Sequence, residues 1–123
     1  MNENIIYTKV FDFAIRIVNL YKYLSQKHHE YVMSKQLLRC GTSIGANVHE
    51  AIAAQSKKDF IAKMAIATKE ARETNYWIKL LIATDFLDQK QNHVKTIQND
   101  IEEIIKILTS IVKTSQERLE HVK

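Results

Sequence analysis

Lys69, Arg72, Tyr76 and Lys79 are spaced 3, 4 and 3 residues apart, so any helix that carries them presents all four on one face. Three cations with an aromatic ring among them suit contact with phosphates, the ring being available for base stacking. Lys35 and Arg39, from the preceding helical stretch, join them as candidate nucleic-acid contacts. The competing reading of the stripe is a solvated face on which Glu73 screens Lys69 from i+4.

A second chemistry would use carboxylates. Four-helix bundles hold paired metals through Glu-x-x-His motifs on facing helices, and that spacing is absent. Glu70 and Glu73 are three apart without a histidine, and His49 and Glu50 are adjacent, so they cannot share a helix face. Glu117 and His121 sit close to the end of the sequence. No metal and no cofactor is therefore expected. The histidines lie in a turn (His28, His29), at helix edges (His49, His93) and near the end (His121), so no Ser/His/Asp arrangement can be argued. There is no glycine-rich phosphate loop either. A metal enzyme using Glu50, Glu70 and Glu73 is the weaker alternative to a protein that catalyses nothing. Glu50, Glu70, Arg72 and Glu73, with Arg39, suit partly buried pairs between carboxylates and arginines across the second and third helices better than catalysis.

The elements that would carry these residues are helical throughout. The chain of 123 residues has no proline and two glycines, which leaves little of the punctuation that hairpins and long loops need. Apolar residues recur at helical spacing in four segments, 5–26, 31–55, 57–84 and 89–119. The first places Ile6, Val10, Phe13, Ile17, Leu20 and Leu24 on one face, with a second stripe of Tyr7, Phe11, Ala14, Val18 and Tyr21 beside it. The second turns Met33, Leu37, Cys40, Ile44, Ala51 and Ala54 inward. In the third the stripe runs Phe60, Met64, Ala67, Ala71, Thr74, Ile78 and Leu81, and in the fourth Val94, Ile97, Ile101, Ile104, Leu108 and Ile111. Ser56 with Asp59 has the form of an N-cap, and Asp88 with Gln91 resembles a second. Short turns join segments of similar length, which predicts an antiparallel up-down-up-down four-helix bundle, one domain over residues 1–123.

Both glycines, Gly41 and Gly45, fall inside the second helix, where each costs about 1 kcal/mol relative to alanine. A neighbouring backbone packed against a side-chain-free patch would offset that cost. Asn47, read as inward, would set the register of the contact. The wide apolar arc of the first helix, with Trp77 off the main stripe of the third, predicts self-association.

A net charge of +4 and a pI near 9.2 make the chain mildly basic. The excess lies in residues 1–84, which hold 12 Lys/Arg against 7 Asp/Glu, so any attraction for polyanions is expected on the first three helices. No stretch approaches the roughly 18 apolar residues of a membrane span, and no leader is apparent, so a cytoplasmic protein is expected. Its one cysteine, Cys40, reads as a small buried hydrophobe.

The run Gln36 to Asn47, then Glu50-Ala51, Ser56, Asp59-Phe60-Ile61, Ala65-Ile66-Ala67, Lys69-Glu70-Ala71, Glu73-Thr74 and Tyr76-Trp77, closely resembles the bacterial four-helix bundle proteins called 23S rRNA-intervening sequence proteins. The resemblance implies a small cytosolic bundle that assembles as a ring-like homopentamer. It implies little about activity. A related group, the accessory proteins of diversity-generating retroelements, is similar in fold and works as a basic adapter to reverse transcriptase and nucleic acid. Cys40 stands where the family commonly has serine and His49 where a small residue is usual, so neither is given a family role. The expectation is a non-enzymatic homo-oligomeric scaffold or adapter whose partner is RNA or another nucleic acid. The alternative is a module that binds only a protein partner.

Overall fold

The computed structural model describes residues 3–122, all of whose regular structure is helical. Helix α1 spans Glu3–Lys27, α2 Met33–Ile52, α3 Lys57–Ala83 and α4 Asn92–Val122. Successive helices run antiparallel. Helix α2 packs between α1 and α3, α4 closes the ring between α3 and α1, and α1 and α3 stay diagonal to each other. The core is built from the four apolar stripes: all six named residues of α1 are buried, as are Val94, Ile97, Ile101, Ile104 and Leu108 of α4. Phe60 and Ile111, expected inward, pack on the edge of the core and are half-buried. Among the described residues, no helix is long and apolar enough to cross a membrane.

The helix ends differ from the periodicity-based bounds for local hydrogen-bonding reasons. Helix α2 starts at Met33 rather than residue 31. The Glu30 carboxylate accepts from the backbone N–H groups of Val32, Met33 and Ser34 at 3.3, 3.2 and 2.7 Å, and so caps the first turn. His29, at φ 52°, turns the chain into that cap. At its other end α2 stops at Ile52, and Ala54 falls in a turn closed by its N–H to Ala51 O at 3.0 Å. Ser56 must be extended to cap α3, and there its Oγ accepts from Asp59 N at 3.0 Å.

Helix α3 ends in a Schellman arrangement, with Asp85 at φ 67° and Phe86 N donating to Leu81 O at 2.9 Å. Asp88 does not cap α4. Its Oδ1 accepts from Lys90 N at 2.9 Å in a local turn, and α4 begins four residues later at Asn92.

Glycine does its work where α1 crosses α2. A Cβ on Gly45 would lie 3.4 Å from Val10 O, so the α1 backbone is in contact there, as the glycine spacing predicts. At Gly41 the neighbour is a side chain. A Cβ would meet Ile17 Cγ2 at 2.8 Å and Cγ1 at 2.9 Å, and Ile17 is fully buried. Asn47 lies off the inward stripe. It is half-buried with its amide donating to Ser43 O at 2.9 Å within α2, and Val48 takes the buried position beside it.

The two glycines should therefore respond oppositely to alanine. Gly41→Ala overpacks a stiff β-branched neighbour and should lose about 1 to 2 kcal/mol net of the gain in helix propensity. Gly45→Ala meets only ordinary contact and should be neutral or gain up to about 1 kcal/mol. Urea unfolding of both variants followed by circular dichroism checks the signs.

Candidate nucleic-acid interface

The rotation of α3 is set by its buried side, where Met64, Ala67, Ala71, Thr74, Ile78 and Leu81 face the core. That places Lys69, Arg72, Tyr76 and Lys79 outside, all exposed. The three cations make no ion pair among the described residues, and Tyr76 is 57% exposed between them. Glu73 makes no ion pair with Lys69; its carboxylate contacts Arg39 and Trp77 instead.

Arg39, unlike the three α3 cations, is held by acidic neighbours. Its Nη1 donates to Glu70 Oε2 at 3.3 Å, its Nη2 to Glu73 Oε2, and its Nε to Gln36 Oε1 at 3.3 Å. Glu73 Oε2 also accepts from Trp77 Nε1 at 3.0 Å, and the Trp77 ring meets Tyr76 edge-on at 5.2 Å and 74°. A continuous chain thus runs from α2 through Arg39, Glu73 and Trp77 to the exposed ring of Tyr76. Lys35 is exposed on α2, apart from the α3 stripe.

The carboxylates do not converge. Glu50 pairs with Lys63 at 3.3 Å, away from the Glu70 and Glu73 pairs to Arg39. Among the described residues no three His, Cys, Asp or Glu side chains are grouped so that they could hold a metal. His28 and His29 contact Tyr23 and Tyr31 hydroxyls, and His49 packs on Tyr7. Cys40 is buried, and that burial pushes its thiol above the usual range, against a hydrogen bond with Thr74.

Three features escaped the reading by residue type. Arg16 clamps α1 to α4, with Nη1 to Asp100 Oδ2 at 2.8 Å and Nη2 to Thr96 Oγ1 at 2.7 Å and to the His93 carbonyl at 3.0 Å. Its signal was a lone cation beside an apolar stripe. Lys113 of α4 lines a groove with Arg72, although residues 85–123 carry no basic excess. The third is a cavity of about 490 Å³ between α1 and α2, under which Gly45 lies, lined by Tyr7, Phe11, Ala14, Ala46 and His49. Phe11 and Ile15 are 60% and 49% exposed on that side.

Fold and surface together define an all-α four-helix bundle protein with one basic outer face and one apolar one. The model of the 23S rRNA-intervening sequence protein family matches residues 2–110, and the chain belongs to that family. A crystal structure of a protein with unknown function from the S23 ribosomal protein family of Bacteroides thetaiotaomicron is similar. It is 53% identical, with a TM-score of 0.86, and the match covers 92% of this chain and 99% of that one. No curated protein matches the chain.

The Arg39–Glu73 pair is half-exposed and should contribute modestly. A double-mutant cycle with Arg39→Ala and Glu73→Ala is expected to give about 0.5 to 1 kcal/mol of coupling at low salt, most of it lost in 1 M NaCl. Urea titrations of the four proteins read it.

Proposed function

We propose that the protein is a non-enzymatic, homo-oligomeric adapter of the cytoplasm that holds nucleic acid against the outer face of α3. The observation that carries this reading is the exposed, unpaired triad Lys69, Arg72 and Lys79 around an exposed Tyr76. Cations free of carboxylate partners release counterions from a phosphate backbone without first breaking a salt bridge. The family is named after 23S rRNA, so a 23S rRNA fragment is the polymer to try first.

Self-association as a ring-like homopentamer accounts for the apolar α1–α2 face. Phe11 lines a cavity that a lone subunit leaves open, Ile15 is exposed one turn further along α1, and a ring needs a second, different patch on each copy to receive them. A module that binds only another protein is the second reading, favoured by that same apolar face.

Two measurements test this. Light scattering should give a particle five times the 14.3 kDa of one chain, with Phe11→Glu driving it toward the monomer; a concentration-independent 14.3 kDa species overturns the oligomer. Binding to a 23S rRNA fragment should fall steeply with salt. Joint reversal of Lys69, Arg72 and Lys79 to Glu should weaken it at least tenfold and flatten the salt slope by about 2 to 3. Unchanged binding removes the α3 face from the account.

A further inference from the structure

The triad on α3 does not end at that helix. Arg72 also lines a groove of about 260 Å³ between α3 and α4, with Ala65 and Thr68 on its own side and Thr109, Lys113 and Gln116 on the other. This lining holds two cations and no carboxylate. Lys113 makes no ion pair among the described residues, although Glu117 follows it one turn on. Two cations thus face a shallow groove beside the α3 stripe.

An exposed aromatic ring beside cations without ion-pair partners among the described residues favours an unstacked strand over a duplex. An aromatic ring on such a surface can stack only on a base that has left its own stack. Tyr76 is suited to that. Its ring is set by the edge contact to Trp77, whose indole N–H is tied to Glu73, and Glu73 is tied to Arg39. Less side-chain freedom is then lost when a base is captured.

We infer that the nucleic acid taken by this face is a single strand laid along the α3–α4 groove, with Lys113 as a further phosphate contact and Tyr76 as a stacking platform for an unpaired base. This rests on the nucleic-acid reading proposed above and specifies the form of the polymer. Arg39 and Glu73 act as positioning residues for the ring.

The test is fluorescence anisotropy with labelled oligo(U) and oligo(dT) of about 12 nucleotides, inside the usual site sizes, and with each strand annealed to its complement. Wild type, Lys113→Glu, Tyr76→Ala, Tyr76→Phe and Lys22→Glu are compared, the last making the same charge change on exposed α1. Expected results are single strands bound at least tenfold tighter than duplexes, and tenfold losses for Lys113→Glu and Tyr76→Ala. Tyr76→Phe should stay within threefold of wild type, as should Lys22→Glu. Equal affinity for duplex overturns the inference, as does a Lys113→Glu loss no larger than that of Lys22→Glu. If those results come with binding that still depends on Lys69, Arg72 and Lys79, the adapter reading stands without this inference. If wild type binds neither form, both fall.

Discussion

The contact of α2 with α1 at Gly41 and Gly45 is the constraint from which the remaining arrangement follows. The missing side chain at Gly41 lets Ile17 reach the α2 main chain, and at Gly45 the Val10 backbone lies within contact distance, which together fix the crossing of the first two helices. With that crossing set, Leu37, Ile44 and Val48 point into the core and Arg39 lies on the α3 side, where it meets Glu70 and Glu73. The same rotation leaves Phe11 and Ile15 outside. One close approach therefore creates both the packed interior and the apolar face on its outer side, over the cavity above Gly45.

Electrostatics then separates cations with different fates. Arg39 is captured by two carboxylates, and Arg16 is used across the α1–α4 seam. Lys69, Arg72, Lys79 and Lys113 are left without partners among the described residues, all on or beside one face of α3. A net charge of only +4 can in this way yield a locally basic surface, because Glu70 and Glu73, the carboxylates of α3 nearest the stripe, are paired with Arg39.

Much of the interior was legible because each helix repeats its apolar residues at a period that admits one inward face. Ile6 to Leu24 on α1 and Val94 to Leu108 on α4 are buried as that period requires. Helix ends were less legible. Glu30 caps α2 with a side chain whose type is common throughout helices, and Asp88 resembles a helix cap but closes a local turn. The α3 stripe could be read from spacing alone. Whether Arg39 belonged to it could not, since that depends on how α2 is rotated against α3. Lys113 was invisible for a related reason: its pairing with Arg72 across a groove links residues about forty apart, and nothing local marks it. The resemblance carried by Gln36 to Trp77 located the family, and the matching family model agrees.

The central claim is that the molecule divides its surface, with nucleic acid on the α3–α4 side and apolar contact on the α1–α2 side. Ultraviolet cross-linking of the unmodified protein to oligo(U), with adducts assigned by mass spectrometry, tests this directly because aromatic side chains mark both faces. The account predicts adducts at Tyr76 and its α3 neighbours. Adducts at Tyr7, Phe11 or Tyr21 with none at Tyr76 would contradict it.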